Sequence, residues 1–303
     1  MLETNALVRR LSINNSKLLT LSDENIKDIQ AVLLDMMADF DAFCRKNGLS
    51  YFLCGGSALG AQRHGGFIPW DDDMDVAMPR ADYVRMRELF LAEYGDRYWV
   101  QSITDGSGYN LPFMKLRKKG TRYVEIFETD PDQAGIFIDI YPLENLPDVA
   151  PARLLHGVVC DFLHFCCSCV RVNCNKRIYL NYFGNLRAVK VKALLGKCLG
   201  IIPLKTWCRL ADRVASSCKN EQSKFVSFPS GRKHYFGEML HRASVLPPKE
   251  CTFNGHLFFE MSNPAEHLET LYGDFTAIPK QHNREQHSIL TLDLGVNNEQ
   301  ILL

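Results

Sequence analysis

The sequence predicts an α+β fold: a mixed β-sheet core flanked by helices, with a helical insertion. Three observations point there. Short segments of period-2 alternation, such as WDDDMDVAM at 70–78, are interspersed with helical runs instead of alternating regularly with them. Roughly 153–220 reads as helix almost throughout. At 303 residues, 46% of them hydrophobic, the chain can bury one large core. Residues 1–303 are therefore read as a single domain, with 153–220 inserted in it.

The first element is a helix. Ser22 is placed as its N-cap with Asp23 and Glu24 in the first turn, and Asn47-Gly48 ends it. Between them Ile26, Ile29, Val32, Leu33, Met36, Met37, Phe40 and Phe43 recur at helical spacing and give one apolar face. SYFLCG follows as a short strand, then Gly55-Gly56-Ser57 and a helical turn, ALGAQRHG. WDDDMDVAM puts Met74, Val76 and Met78 on one strand face and Asp71, Asp73 and Asp75 on the other. LPFMKLRKKG, with Lys115 and Arg117 on one face, and AGIFIDIYPL, with Asp139 between Phe137 and Tyr141, are further strands. A last helix is expected at PAEHLETLYG, with Pro264 in its first turn.

The 35 basic and 35 acidic residues cancel, which argues against general nucleic-acid binding. No leader-like apolar segment with a cleavage site opens the sequence, and no run of about 18 uninterrupted apolar residues suggests a membrane span. Eleven cysteines without framework spacing are expected to be reduced thiols in a cytoplasmic protein.

Four aspartates within five positions, Asp71, Asp72, Asp73 and Asp75, repel one another unless cations hold them. A solvated turn is the plainer alternative, but Ile68, Trp70, Met74, Val76 and Met78 flank the run and are too apolar for it. Asp73 and Asp75 would leave one strand face about 7 Å apart, a spacing that suits one or two Mg²⁺ ions, with Mn²⁺ as the alternative. Asp139, costly in an apolar strand unless paired or coordinated, is the candidate third ligand; a turn cap before Pro142 is its ordinary role. Gly55, Gly56 and Ser57, between a strand and a helix, offer amides to phosphate oxygens. Arg63, His64, Lys115 and Arg117 are the basic candidates for the same phosphates.

The segment GGSALGAQRHGGFIPWDDDMDVAMPR closely resembles the signature of the LicD family of phosphotransferases, relatives of fukutin in the nucleotidyltransferase superfamily. FIDIYPLENLP and LYGDFTAIP resemble later family segments in the same order, and the resemblance covers roughly 25–145 and 250–290. It maps the superfamily's Gly-Ser turn, Asp-x-Asp strand and third strand acid onto Gly56-Ser57, Asp73-x-Asp75 and Asp139. Ser57 stands where the family typically has threonine or another small residue, and it keeps the hydroxyl. The resemblance implies a nucleotidyltransferase-like sheet and transfer of a phospho-alcohol, typically phosphocholine from CDP-choline, to a sugar of a surface glycan such as teichoic acid, capsule or lipopolysaccharide.

Near the C-terminal motif, Tyr272, Asp274, His282 and His287, together with Asp71, are candidates for the acceptor side of the site, where a carboxylate or imidazole would take a proton. His156, Cys160, His164 and Cys167 form a helical stripe, but positions eight apart lie about 12 Å apart along a helix and cannot share one metal. Core packing is the better reading. Residues 162–211 hold nine bases and no acid: Arg171, Lys176, Arg177, Arg187, Lys190, Lys192, Lys197, Lys205 and Arg209. Such a segment either forms a solvated helical face or lies on an anionic membrane surface, at the inner face or beside a lipid-linked glycan acceptor.

Three functions remain in view. A CDP-alcohol phosphotransferase would release CMP, and a nucleotidyltransferase making a nucleoside monophosphate ester would release pyrophosphate. A binding module without catalysis is disfavoured, since binding alone does not call for clustered carboxylates.

Overall fold

The computed structural model describes Val8 and residues 15–106, 108–184, 186–280 and 284–295. Helix α1 (Asp23–Asn47) starts at a capping box in which Ser22 and Asn25 bond reciprocally, and it ends at Gly48 in the left-handed region. Its apolar stripe packs on the sheet with Phe90, Tyr98 and Tyr51 in the largest buried cluster. Phe43 meets Phe90 edge-on at 4.9 Å. Each such fully buried side chain contributes roughly 1.5–3 kcal/mol.

Strand β1 (Phe52–Leu53) leads directly into α2 (Gly55–His64), so the two glycines are the first helical residues. β2 (Met74–Pro79) runs into α3 (Arg80–Tyr94), followed by β3 (Tyr98–Gln101), β4 (Met114–Lys118), β5 (Arg122–Glu125) and β6 (Phe137–Asn145). The main sheet has the order β1-β2-β6-β4-β3; β2–β6 is the only parallel pair among the described residues, and β7 (Phe225–Ser227) and β8 (Met239–His241) continue from the far end of β6. The predicted α+β mixture with a mixed sheet is what the structure has. One boundary differs. The strand begins at Met74, because Asp71 turns back to donate its N–H to the Ile68 carbonyl at 3.0 Å.

The predicted helical stretch is a layer of four helices: α4 (Ala150–Cys174), α5 (Lys176–Phe183), α6 (Arg187–Leu199) and α7 (Leu204–Ala215). Leu163, Cys167, Cys208 and Ala211 pack α7 onto α4. His156 bonds Tyr235 and the Val214 carbonyl, so the histidine–cysteine stripe is a packing feature. α4 is long and apolar enough to cross a bilayer by length and composition, yet Gly157, Cys160, Leu163 and Cys166 are among its buried residues. A triad around buried Glu144 joins layer and sheet: Arg80 pairs with Glu144 on β6 and, at 2.9 Å, with partly exposed Asp212 on α7. All eleven cysteines are free.

The hairpin of β9 (Lys249–Phe253) and β10 (His256–Glu260) turns at Asn254-Gly255, both at positive φ. Pro264 opens α8 (Pro264–Tyr272) as predicted. β11 (Ile289–Asp293) returns to pair antiparallel with β5.

Candidate active site

Alternation sorts the two faces of the central strands. Met74, Val76, Ile138 and Ile140 point to the apolar core, and Asp75 and Asp139 point away from it. Register then aligns the polar residues. Asp75 on β2 is the partner of Asp139 on β6, which is the partner of Lys115 on β4. This row, with Asp73 just ahead of β2, forms the wall of a cavity of about 790 Å³.

Gly55 and Gly56 press against the same acids. Gly55 sits at φ +51°, and a Cβ there would lie 2.6 Å from Asp75 Oδ2; one on Gly56 would lie 2.8 Å from Asp71 Oδ2. Only bare backbone fits. The Gly56 N–H donates to Asp75 Oδ2 at 3.3 Å, and the Gly55 N–H to His267 Nε2 at 3.1 Å. His267 is buried, which lowers its pKa to about 4 and keeps it a neutral acceptor.

Asp139 is buried. Burial raises its pKa to about 6 despite the opposing charge of Lys115. Lys115 Nζ lies within ion-pair range of its Oδ1, at 3.4 Å, but that oxygen accepts no hydrogen bond. Lys115 donates instead to Glu125 at 2.9 Å and sits over the Phe137 ring. Burial acts upward on Glu125 too, but Lys115, His287 and Arg117 outweigh it and hold that carboxyl at about 2. An under-coordinated, buried carboxylate oxygen beside Asp73 and Asp75, in an all-oxygen donor set, fits a hard divalent cation.

His287 is where the structure adds most. Its Nδ1 lies 3.0 Å from Asp72 Oδ1, its backbone N–H donates to Asp72 Oδ2, and its Nε2 is 3.6 Å from Asp73 Oδ2. Asp72 also accepts the Tyr123 hydroxyl at 2.7 Å. Burial pushes Asp72 upward, but the charge and hydrogen bonds of His287 and the Tyr123 bond hold it below the ordinary range. Asp72, Asp73 and His287 could themselves cluster round an ion, their ligand atoms lying within 4.8 Å of one another. Both Asp72 oxygens are already engaged, however, and an imidazole suits transition metals better than Mg²⁺.

Other expected residues divide. Gly55, Gly56, Asp71, Tyr272 and Asp274 line the cavity. His282 lies outside the described residues. Ser57 is buried behind the wall, where its hydroxyl accepts the Asp75 N–H at 2.8 Å, so it positions β2 and does not face a phosphate. Arg117 reaches the wall, but its guanidinium is turned to Gln101, Gly135 and Glu128. Arg63 lines the cavity, yet Nη1 holds the carbonyls of Phe275 and Ala277, and His64 is exposed outside the wall against Trp70. Of the nine bases in 162–211, Arg171 and Lys192 turn inward and line the far end of the cavity, Lys192 donating to Ser168 at 2.9 Å. Asp72, Glu125 and His267 carried no sequence signal beyond the run of aspartates, because tertiary contacts alone recruit them.

A glycine-rich helix start thus packs against paired strand carboxylates on one cavity wall. Residues 48–149 match the family described as LicD/FKTN/FKRP, nucleotidyltransferase domain. The chain is 27% identical over 275 residues to the lipopolysaccharide cholinephosphotransferase LicD of Haemophilus influenzae, covering 87% of this chain and 96% of that protein. The ribitol 5-phosphate transferase FKRP of Homo sapiens is 42% identical over 62 residues, 20% of this chain and 11% of its own length. Residues 48–149 are thus similar to the LicD family's nucleotidyltransferase domain, and the likeness to the Haemophilus protein runs along most of the chain.

Proposed function

We propose that this protein is a Mg²⁺-dependent phosphotransferase that moves a phospho-alcohol, phosphocholine from CDP-choline in the first instance, onto a sugar hydroxyl of a cell-surface glycan. The observation that carries the reading is the row Asp75–Asp139 with Asp73 on one cavity wall, where Asp139 Oδ1 is buried without a hydrogen bond. It is supported by the likeness to the Haemophilus cholinephosphotransferase along nearly its whole length.

Asp73, Asp75 and Asp139 would hold the ion, which when bound supplies positive charge to the pyrophosphate of the donor. The bare Gly55-Gly56 backbone lets Asp75 and Asp71 pack closely against it. Its N–H groups are taken by Asp75 and His267 instead of being left for phosphate oxygens. Lys115, next to Asp139, adds a fixed positive charge on the same wall. The acceptor hydroxyl attacks the phosphorus that carries the alcohol; a new P–O bond forms to the sugar, and the bridging P–O bond breaks to release CMP. His287, its Nδ1 held by Asp72, takes the hydroxyl proton at Nε2.

Incubation with Mg²⁺ and a panel of nucleotide-activated alcohols, followed by identification of the released nucleotide, tests this. CMP together with a phospho-alcohol-modified sugar supports it. Pyrophosphate release from a nucleoside triphosphate, with no CMP from any activated alcohol, would show a nucleotidyltransferase instead.

A further inference from the structure

Among the described residues, twelve of the twenty exposed large hydrophobic ones fall within 149–210, about a fifth of the chain. On α6, Val191, Leu194 and Leu195 are exposed, and so are Arg187, Lys190 and Lys197. At 3.6 residues per turn these six share the half of the helix opposite buried Val189, Ala193 and Gly196. The turn that follows extends the same surface with Ile201, 88% exposed, and Ile202. On α4, exposed Leu154, Leu155, Val158 and Phe162 form a second stripe, and one turn beyond it Phe165 lines the cavity.

We infer that α6 and the turn after it dock this protein on an anionic phospholipid surface. An apolar face interleaved with bases matches the acyl–headgroup boundary of such a surface. The acid-free stretch gives it one sign of charge. A second copy of the chain is a poor occupant, since a two-fold interface through this face would set Lys190 and Lys197 against like charges. Two of the nine bases, Arg171 and Lys192, serve the cavity and take no part, which leaves the outward ones for lipid. The inference stands apart from the reaction proposed above, and its test reads no activity.

The test is cosedimentation of the full chain with vesicles of phosphatidylcholine alone or mixed with phosphatidylglycerol, at low and high salt. Binding is expected only to the mixed vesicles and should be released by salt. Lys190→Glu with Lys197→Glu should weaken it at least about tenfold. Leu194→Ser with Ile201→Ser, which keeps every charge, should weaken it too; all four positions are exposed, so folding survives. Absence of binding at low salt, equal binding to both vesicle types, or unchanged binding by both variants overturns the inference. So does a dimer in sedimentation equilibrium that Leu194→Ser with Ile201→Ser abolishes.

Discussion

Asp75 and Asp139 are register partners across the parallel β2–β6 pair, so their carboxylates stand side by side on one face of the sheet. Neighbouring strands are about 4.8 Å apart, close enough for both to reach one ion. Asp73→Asn, Asp75→Asn and Asp139→Asn should therefore each lower transfer by at least about a hundredfold, some 3 kcal/mol of charge stabilisation. The folded state should be kept, since each change removes one of several repelling charges. Near wild-type turnover in a folded variant would remove that residue from the site.

His287→Ala should lower kcat by about 10²–10⁴ as the loss of a general base. Asp72 acts through the imidazole, so Asp72→Asn should have a smaller effect, with KM for the donor little changed. If His287→Ala raises KM and leaves kcat intact, the residue only shapes the cavity.

Gly55→Ala places a methyl 2.6 Å from Asp75 Oδ2 at a φ of +51°. Activity should fall more steeply than stability, which should drop by roughly 1–3 kcal/mol. Denaturant unfolding and turnover, measured on the same preparation, separate the two.

The Arg80–Glu144–Asp212 triad ties α7 to the sheet, and Glu144 is buried. Arg80→Met leaves that carboxylate without its partner and should cost about 3–5 kcal/mol. Arg80→Met combined with Glu144→Leu should recover most of the loss. Thermal unfolding of the single and double variants decides it.

Glu238 is buried beside the cavity, and burial raises its pKa from 4.5 to about 7 while the Lys233 N–H pulls the other way. The folded protein thus binds a proton that the unfolded chain has lost between these values. The contribution is full below about pH 4.5 and is lost as pH rises through about 7. Glu238→Gln should flatten this fall and leave the variant more stable than wild type at pH 8, by up to about 3 kcal/mol. Identical pH profiles for the two proteins would refute it.

What local pattern carries, the sequence shows well. Ser22 and Gly48 bound α1, Pro264 opens α8, and the alternation around Asp139 gives β6 its two faces. The Gly-Gly-Ser turn and Asp73, Asp75 and Asp139 are readable for the same reason. Asp72 is not. Strict alternation would send its side chain to the core with Met74, but the chain is still turning there, and the carboxylate is satisfied by Tyr123 and His287 from distant segments. Arg117 and Lys115 look alike on their strand, and only the neighbouring Glu128, Gln101 and Glu125 show that the guanidinium is turned to structural partners while the ammonium stays beside Asp139. Periodicity reports which way a side chain points, and says nothing of what awaits it.

The pairing of β11 with β5 brings His287 to an aspartate 215 positions earlier in the chain. During synthesis at roughly 5–20 residues per second, that is a wait of about 10–40 s. Throughout it the glycine turn and the strand carboxylates can already be in place on the ribosome. On the mechanism proposed above, proton transfer waits until the segment carrying His287 joins the sheet.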